Sequence, residues 1–266
     1  GKVLNVGVSK GDICRTNLVK NKVGAIIVAR CTSSRLPNKA LIKIHDDESI
    51  KILIDRIKMC KNISRIVLAT STHESDDKLV EIAKREDIDY FRGSLTQVAE
   101  RYHDAAFHYG FDHFVRITGD AICSDYEMID KIVESHLDNS CDVTFMKNMP
   151  FGTHNQVVSF NTIQNIIETA SVMENTEYLE YYLENDRYFN VNYVDSNYDY
   201  DIRTRITLDY EEDLKFLRKI YARFNNTTRF KTILNYINNN PSIIEINTHK
   251  IQKTPFNQNL DVSLKI

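Results

Sequence analysis

The chain has 266 residues, 42% hydrophobic and 27% charged, a globular composition that excludes a disordered chain. The formal net charge of −3 lacks the basic excess of a general nucleic-acid binder. The longest apolar run, Val23–Ala29, falls far short of the ~20 residues that cross a bilayer. No secretory apolar stretch opens the chain, so a cytoplasmic protein with no membrane and no nucleic-acid partner is expected. Single α/β domains of ~250 residues are ordinary, which favours one catalytic domain with a short appendage. Five cysteines, Cys14, Cys31, Cys60, Cys123 and Cys141, form no CxxC pair and are odd in number. Reduced thiols are therefore expected, with no disulfide or zinc framework. Gly, not Met, stands first, which suggests processing or excision from something longer.

Residues 23–29 are continuously apolar and rich in β-branched side chains, which predicts a central parallel strand covered on both faces. Residues 30–40 are polar and contain Pro37, so they form a loop. Within 49–60, Ile50, Leu53, Ile54 and Ile57 repeat at helical spacing. A strand at 65–70 follows, and Asp76 reads as the N-cap of a helix carrying Leu79, Val80 and Ala83. A third strand covers about 88–91, and the next helix, with Val98, Tyr102, Ala105 and Tyr109 on one face, stops at Gly110. Then come a strand at 112–117, a helix from about Tyr126 and a strand at 142–146. The second half predicts a strand at 156–160, helices at 161–170 and 177–183, and strands at about 188–194 and 203–208. A helix with Leu214, Leu217, Tyr221 and Phe224 and another at about 229–238 complete the order. This alternation predicts an α/β fold, a mostly parallel Rossmann-like sheet with helices on both faces. Ligands bind such sheets at the carboxyl ends of strands, which selects the loops after residues 29, 70, 91, 117 and 208.

The first of these loops, Arg30-Cys31-Thr32-Ser33-Ser34-Arg35-Leu36-Pro37-Asn38-Lys39, packs three cations and three hydroxyls into ten residues. Cations and hydroxyls after a buried strand suit phosphate oxygens, although a solvated basic loop has the same composition. The Gly-rich spacing of a Walker loop is absent. After the fourth strand, Arg116-Ile117-Thr118-Gly119-Asp120 delivers a carboxylate suited to a hard cation bridged to phosphates. A capping Asp would look the same. Asp209, within Arg205–Leu214, leaves a strand before a helix, either as another cap or as partner to Asp120 on one metal. These two roles are compatible. No GxSxG and no Ser/His/Asp set supports a hydrolase.

Ala29-Arg30 with Ser33–Leu41 resembles the nucleotide-binding signature of the CMP-sugar synthetases. These include the 3-deoxy-manno-octulosonate and acylneuraminate cytidylyltransferases, and the resemblance is nearest to the spore-coat-polysaccharide cytidylyltransferase-like branch. Leu68-Ala69-Thr70 with Asp76-Asp77, Phe91-Arg92-Gly93-Ser94, Arg101-Tyr102, Val115–Asp120, Thr176-Glu177-Tyr178 and Arg205–Leu214 extend it in order over about residues 23–247. Three places depart from the family pattern: Asn38 stands for the usual Gly, Gln97 for a common Asp, and Ala121-Ile122 for a small or polar residue and Pro.

The resemblance implies a nucleotide-diphospho-sugar transferase type of fold over residues 22–266. It implies the reaction CTP + sugar acid → CMP-sugar + pyrophosphate, serving surface polysaccharide or glycan synthesis. Arg35, Lys39 and Asp120 would be catalytic, with Arg30, Arg35 and Lys39 holding the triphosphate. Ala29, Arg30, Ser33, Ser34, Thr70, Arg92 and Ser94 would bind the nucleotide, Thr70 and Ser94 lining the cytidine pocket. Asp120 and Asp209 would hold Mg²⁺. Family members often pair through their second half, so a homodimer is a further expectation.

Residues 1–21 form a separate arm. Gly1-Lys2 followed by Lys10-Gly11-Asp12-Ile13 resembles the end of the antifreeze-like domain that closes sialic-acid-type synthases. A fused or partner sugar-acid synthase follows from that resemblance, and an arm unique to this protein is the alternative. The arm favours a nonulosonic acid over a sugar phosphate as acceptor. Two other functions compete. An A-type glycosyltransferase is disfavoured by the Ser-Ser-Arg-Leu-Pro-Asn-Lys loop, and a catalytically silent nucleotide-binding subunit by the intact Arg35, Lys39, Asp120 and Asp209.

Overall fold

A computed structural model describes residues 21–169 and 179–250; the synthase-like arm and the Thr176-Glu177-Tyr178 mark lie outside the described residues. The apolar run forms β1 (Val23–Val28), followed by a small hairpin of β2 (Lys43–Ile44) and β3 (Asp47–Glu48) and by α1 (Ser49–Ile57). Strand and helix then alternate through β4 (Arg65–Ser71), α2 (Asp77–Arg85), β5 (Asp89–Gly93), α3 (Val98–Tyr109), β6 (His113–Thr118), α4 (Tyr126–Asp138) and β7 (Val143–Lys147). The remaining elements are β8 (Gln156–Ser159), α5 (Phe160–Thr169), α6 (Leu179–Leu183), β9 (Val191–Asp195), α7 (Glu211–Tyr221) and α8 (Phe230–Asn239).

Seven of these strands make one sheet in the order β5-β4-β1-β6-β8-β7-β9. β5, β4, β1 and β6 are parallel, β8 runs against both β6 and β7, and β9 is parallel to β7. The mostly parallel sheet is thus as expected. The apolar run of β1 has a direct cause. Ala25 and Ile27 enter the cluster that also holds side chains of α1, α2, α4, α7 and α8, while Ile26 enters the opposite one with α3, α5 and α6. A strand covered on both faces has no position for a polar residue. None of the described helices is long and apolar enough to cross a membrane.

Three expectations are corrected. Residues 203–208 are not a ladder strand but an extended segment lying across strand ends. Arg205 makes an isolated bridge with Phe151, the Ile206 N–H donates to the Phe151 carbonyl at 2.8 Å, and the Leu208 N–H to the Asp120 carbonyl at 3.2 Å. Gly152, at φ 90°, permits this crossing, since a Cβ there would lie 2.5 Å from the Ile206 carbonyl oxygen. The strand placed at about 188 starts only at Val191, because the Tyr188 and Phe189 N–H groups turn back onto the Asn185 carbonyl. Asp76 heads α2, but its side chain makes no capping bond.

Candidate active site

Beyond β1, the Ala29 N–H still donates to the Ala69 carbonyl at 3.2 Å before the chain leaves the sheet. The loop then folds around one carbonyl, that of Cys31, which accepts the N–H groups of Ser33 and Asn38 at 3.0 Å each. Asn38 sits at φ 55°, ψ 27°, the left-handed conformation that Gly adopts freely and Asn tolerates. The departure from the family's Gly therefore preserves the turn. Lys39 follows immediately, and its side chain reaches two carboxylates from later in the chain.

The exit of β6 and the end of the extended 203–208 segment meet it there. The Gly119 N–H donates to the Val28 carbonyl at 2.9 Å, and a Cβ on Gly119 would lie 2.8 Å from the Ala29 Cβ. A glycine is thus what lets the end of β6 lie against the end of β1. Asp120 comes next. Lys39 Nζ lies 2.8 Å from Asp120 Oδ2 and 2.8 Å from Asp209 Oδ1, so these oxygens are no farther apart than twice that distance. Arg35 Nη2 is 3.3 Å from the same Asp209 oxygen, with its guanidinium 5.6 Å from the centre of the Tyr210 ring. Four residues selected from sequence, the most distant 174 positions apart, form one cluster. Burial pushes the Asp120 carboxyl up, but the charge and hydrogen bond of Lys39, with a bond from Thr118, outweigh it and hold the group at about 2. Burial lowers Lys39, and the two carboxylates more than offset this and raise it. Lys39 and Asp120 each favour the charged form of the other.

Asp209 is braced from behind by residues whose roles the sequence did not reveal. Arg205 donates from Nε and Nη2 to Asp213 at 2.9 and 3.1 Å, and its Nη2 lies 3.5 Å from Asp209 Oδ2. Its guanidinium packs 4.9 Å from the Phe151 ring centre and 5.6 Å from that of Tyr210. Asp213 also accepts the N–H groups of Asp209 and Tyr210 at 3.0 Å each. An acidic residue at the third position of a helix is a capping-box pattern, and that signal was present in the sequence.

The other expected residues sit around this cluster. Arg30 Nη1 donates to the Leu95 carbonyl at 3.2 Å. Ser33 is half-buried and Ser34 exposed on the loop. Thr70 is fully buried, its hydroxyl donated to Asp76 at 2.9 Å. Arg92 braces the exit of β4 by donating to the Ser71 and His73 carbonyls at 2.8 and 2.9 Å and pairing with Asp77 at 2.7 Å. Ser94 Oγ accepts the Gln97 N–H at 3.1 Å ahead of α3. Asp76 proves central to this scaffold. It accepts the Cys31 N–H at 2.8 Å, the Thr70 hydroxyl, and both the N–H and hydroxyl of Ser71, tying the exits of β1 and β4 together. Burial raises its carboxyl, but bonds from Ser71, Cys31 and Thr70 outweigh that and hold it below the ordinary aspartate value.

No cluster of three or more His, Cys, Asp or Glu side chains among the described residues could hold a metal on protein ligands alone. Asp120 and Asp209 offer two converging carboxylates. Mg²⁺ is ordinarily held by one or two carboxylates and completed by phosphate oxygens and water, so this donor set fits it.

The model of the cytidylyltransferase family matches residues 24–231. An uncharacterised protein of Methanocaldococcus jannaschii is 32% identical over 236 residues, covering 88% of this chain and 97% of its own length. The spore coat polysaccharide biosynthesis protein SpsF of Bacillus subtilis is 27% identical over 210 residues, covering 76% and 88% respectively. A solved cytidylyltransferase from Leptospira borgpetersenii superposes with a TM-score of 0.80 at 27% identity, covering 88% of this chain and 100% of that one.

Proposed function

The chain belongs to the cytidylyltransferase family, and we propose that it transfers CMP from CTP to the anomeric hydroxyl of an acidic sugar of nonulosonic type, for surface polysaccharide or glycan synthesis. The observation that carries this reading is the meeting of Arg35, Lys39, Asp120 and Asp209 at the exits of β1 and β6. In the reaction the acceptor hydroxyl gives its proton to solvent as its oxygen forms a bond to the α-phosphorus, the bond from that phosphorus to the bridging oxygen breaks, and pyrophosphate leaves. Such a step depends on positioning and on neutralising charge. Arg35, about one-third exposed, turns from Asp209 to phosphate oxygens and stabilises the charge that develops on the leaving group. Lys39 holds the two carboxylates side by side until the nucleotide arrives, then shares its donors with the phosphates. Asp120 and Asp209 would hold Mg²⁺, which supplies charge neutralisation and polarisation of the phosphate when bound. The loops after β4 and β5 would receive the base and select cytosine.

The deciding experiment supplies CTP, Mg²⁺ and a panel of sugar acids. Pyrophosphate and a CMP-sugar are the expected products. Turnover only of a nucleotide sugar, with release of a nucleoside diphosphate, would make the chain a glycosyltransferase. CTP binding without any turnover would make it a silent subunit.

A further inference from the structure

A second polar cluster lies on the sheet face covered by α3, α5 and α6. Arg116, on β6, is 5% exposed. Its Nη1 donates to Gln156 Oε1 at 2.9 Å and to Glu180 Oε1 at 3.0 Å, and Gln156 Nε2 donates to that same Glu180 oxygen at 3.0 Å. The guanidinium lies 5.7 Å from the centre of the Tyr102 ring, whose hydroxyl is committed to the Ile117 carbonyl at 2.8 Å. Nε of Arg116 is buried and has no hydrogen-bond partner among the described residues. The partner carboxylate is unlike the arginine: Glu180, on the five-residue α6, is 50% exposed. A buried charge left one bond short is an expensive way to fill an apolar face, because a hydrophobic residue of similar volume packs there at lower cost.

Arg116 lies within β6, four residues before Asp120, which follows the end of that strand. Burial lowers its guanidinium, but Tyr102, Glu180 and also Asp120 act on it electrostatically and raise it, so it lies within range of the site's charge. Acceptor chemistry says what belongs at that place. In a 2-keto sugar acid the carboxylate is bonded to the carbon that carries the attacking hydroxyl. Whatever recognises this carboxylate must therefore stand close beside the Asp120 edge. A planar guanidinium is the side chain best shaped to grip a carboxylate with two parallel bonds.

We propose that Arg116, oriented by Gln156, recognises the carboxylate of the acceptor, and that the half-exposed Glu180 keeps its place until the acceptor displaces it. This inference rests on the proposed transfer to an acidic sugar.

The test measures steady-state kinetics with N-acetylneuraminate, 3-deoxy-manno-octulosonate, their carboxamides and glucose 1-phosphate as acceptor probes, for the wild type, Arg116→Lys and Glu180→Gln. Arg116→Lys keeps the charge and loses the fork. It should raise the KM for the carboxylated acceptor roughly 10- to 100-fold, the scale of one charge-assisted pair, and leave calorimetric CTP affinity within about twofold. The wild type should reject the carboxamides, and Arg116→Lys should lose that discrimination. Glu180→Gln removes the competing anion and should lower the acceptor KM. A merely structural ion pair would instead leave the carboxylate-to-carboxamide ratio of Arg116→Lys unchanged, which overturns the assignment while the acidic acceptor stands. A wild type that transfers to glucose 1-phosphate and to none of the acids would overturn both.

Discussion

Lys39 sits between two carboxylates that would otherwise repel each other and an incoming triphosphate. Its loss has a double effect. Arg35→Ala and Lys39→Ala should each cost roughly 2–4 kcal/mol of transition-state stabilisation, about 30- to 1000-fold in rate. Only Lys39→Ala also releases Asp120 from the partner that holds its carboxyl at about 2, so its activity should fall more steeply than wild type as pH drops. A pH–rate series on both variants checks this, and parallel profiles would refute it. Asp120→Asn and Asp209→Asn discriminate a ligand from a cap, because Asn caps helices well. Both should lose activity almost completely while circular dichroism shows a folded protein. At this level the sequence was informative where chemistry is local. Arg35, Lys39 and Asp120 stand out because cations and a carboxylate leave buried strands. Arg116 does not, because its partners Gln156 and Glu180 lie 40 and 64 positions away, and the Arg205–Asp213 pair shows in the sequence only as a helix-capping acid, not as a brace for Asp209.

The exits of β1, β4 and β6 are held together by two devices. One is backbone contact through Gly119, and Gly119→Ala should cost about 1–3 kcal/mol by overpacking against Ala29. The same push displaces Asp120, so kcat should fall even in protein that remains folded at the assay temperature. The other is the Asp76 carboxylate, whose bonds from Cys31, Thr70 and Ser71 join two loops. Its folded value lies below the unfolded one of about 3.9, so folding favours the ionised form. The stability it contributes is complete above that unfolded value and disappears as pH falls through the folded one. Melting curves from pH 7 to pH 3 should show the wild type losing stability towards the acid end. Asp76→Ala should melt lower at pH 7, by roughly 3 kcal/mol for buried donors left unpaired, and should show a shallower acid slope. The elements themselves were largely readable, since period and length separate buried strands from amphipathic helices. The 203–208 segment was misread for a physical reason. Apolar and polar residues alternate through Arg205-Ile206-Thr207-Leu208-Asp209 as in a strand, yet all five are buried, and an alternating pattern does not establish pairing with a neighbour.

The cluster joins the first loop of the domain to a segment 170 residues later, so nucleotide binding fastens the two halves of the chain to each other. A ligand that binds only the folded state at 100 times its Kd adds about 2.7 kcal/mol of stability. For a chain of this size that corresponds to a rise of roughly 5–10 °C in Tm. CTP with Mg²⁺ should produce this rise, and ATP or GTP at the same concentration should produce little. The proposed metal dependence has an electrostatic reason. In the proposed function Asp120 and Asp209 face the triphosphate, and Lys39 with Arg35 only balances their charge. A triphosphate adds several negative charges to that balance, and without a divalent ion the site should repel its own substrate. CTP with a chelator should therefore give a much smaller shift than CTP with Mg²⁺. In Asp120→Asn the repulsion is weaker, so the chelated shift should grow relative to wild type even though the metal-dependent gain shrinks. An unchanged CTP shift with and without metal, in both proteins, would show that the carboxylates do not face the phosphates and serve only to hold Lys39.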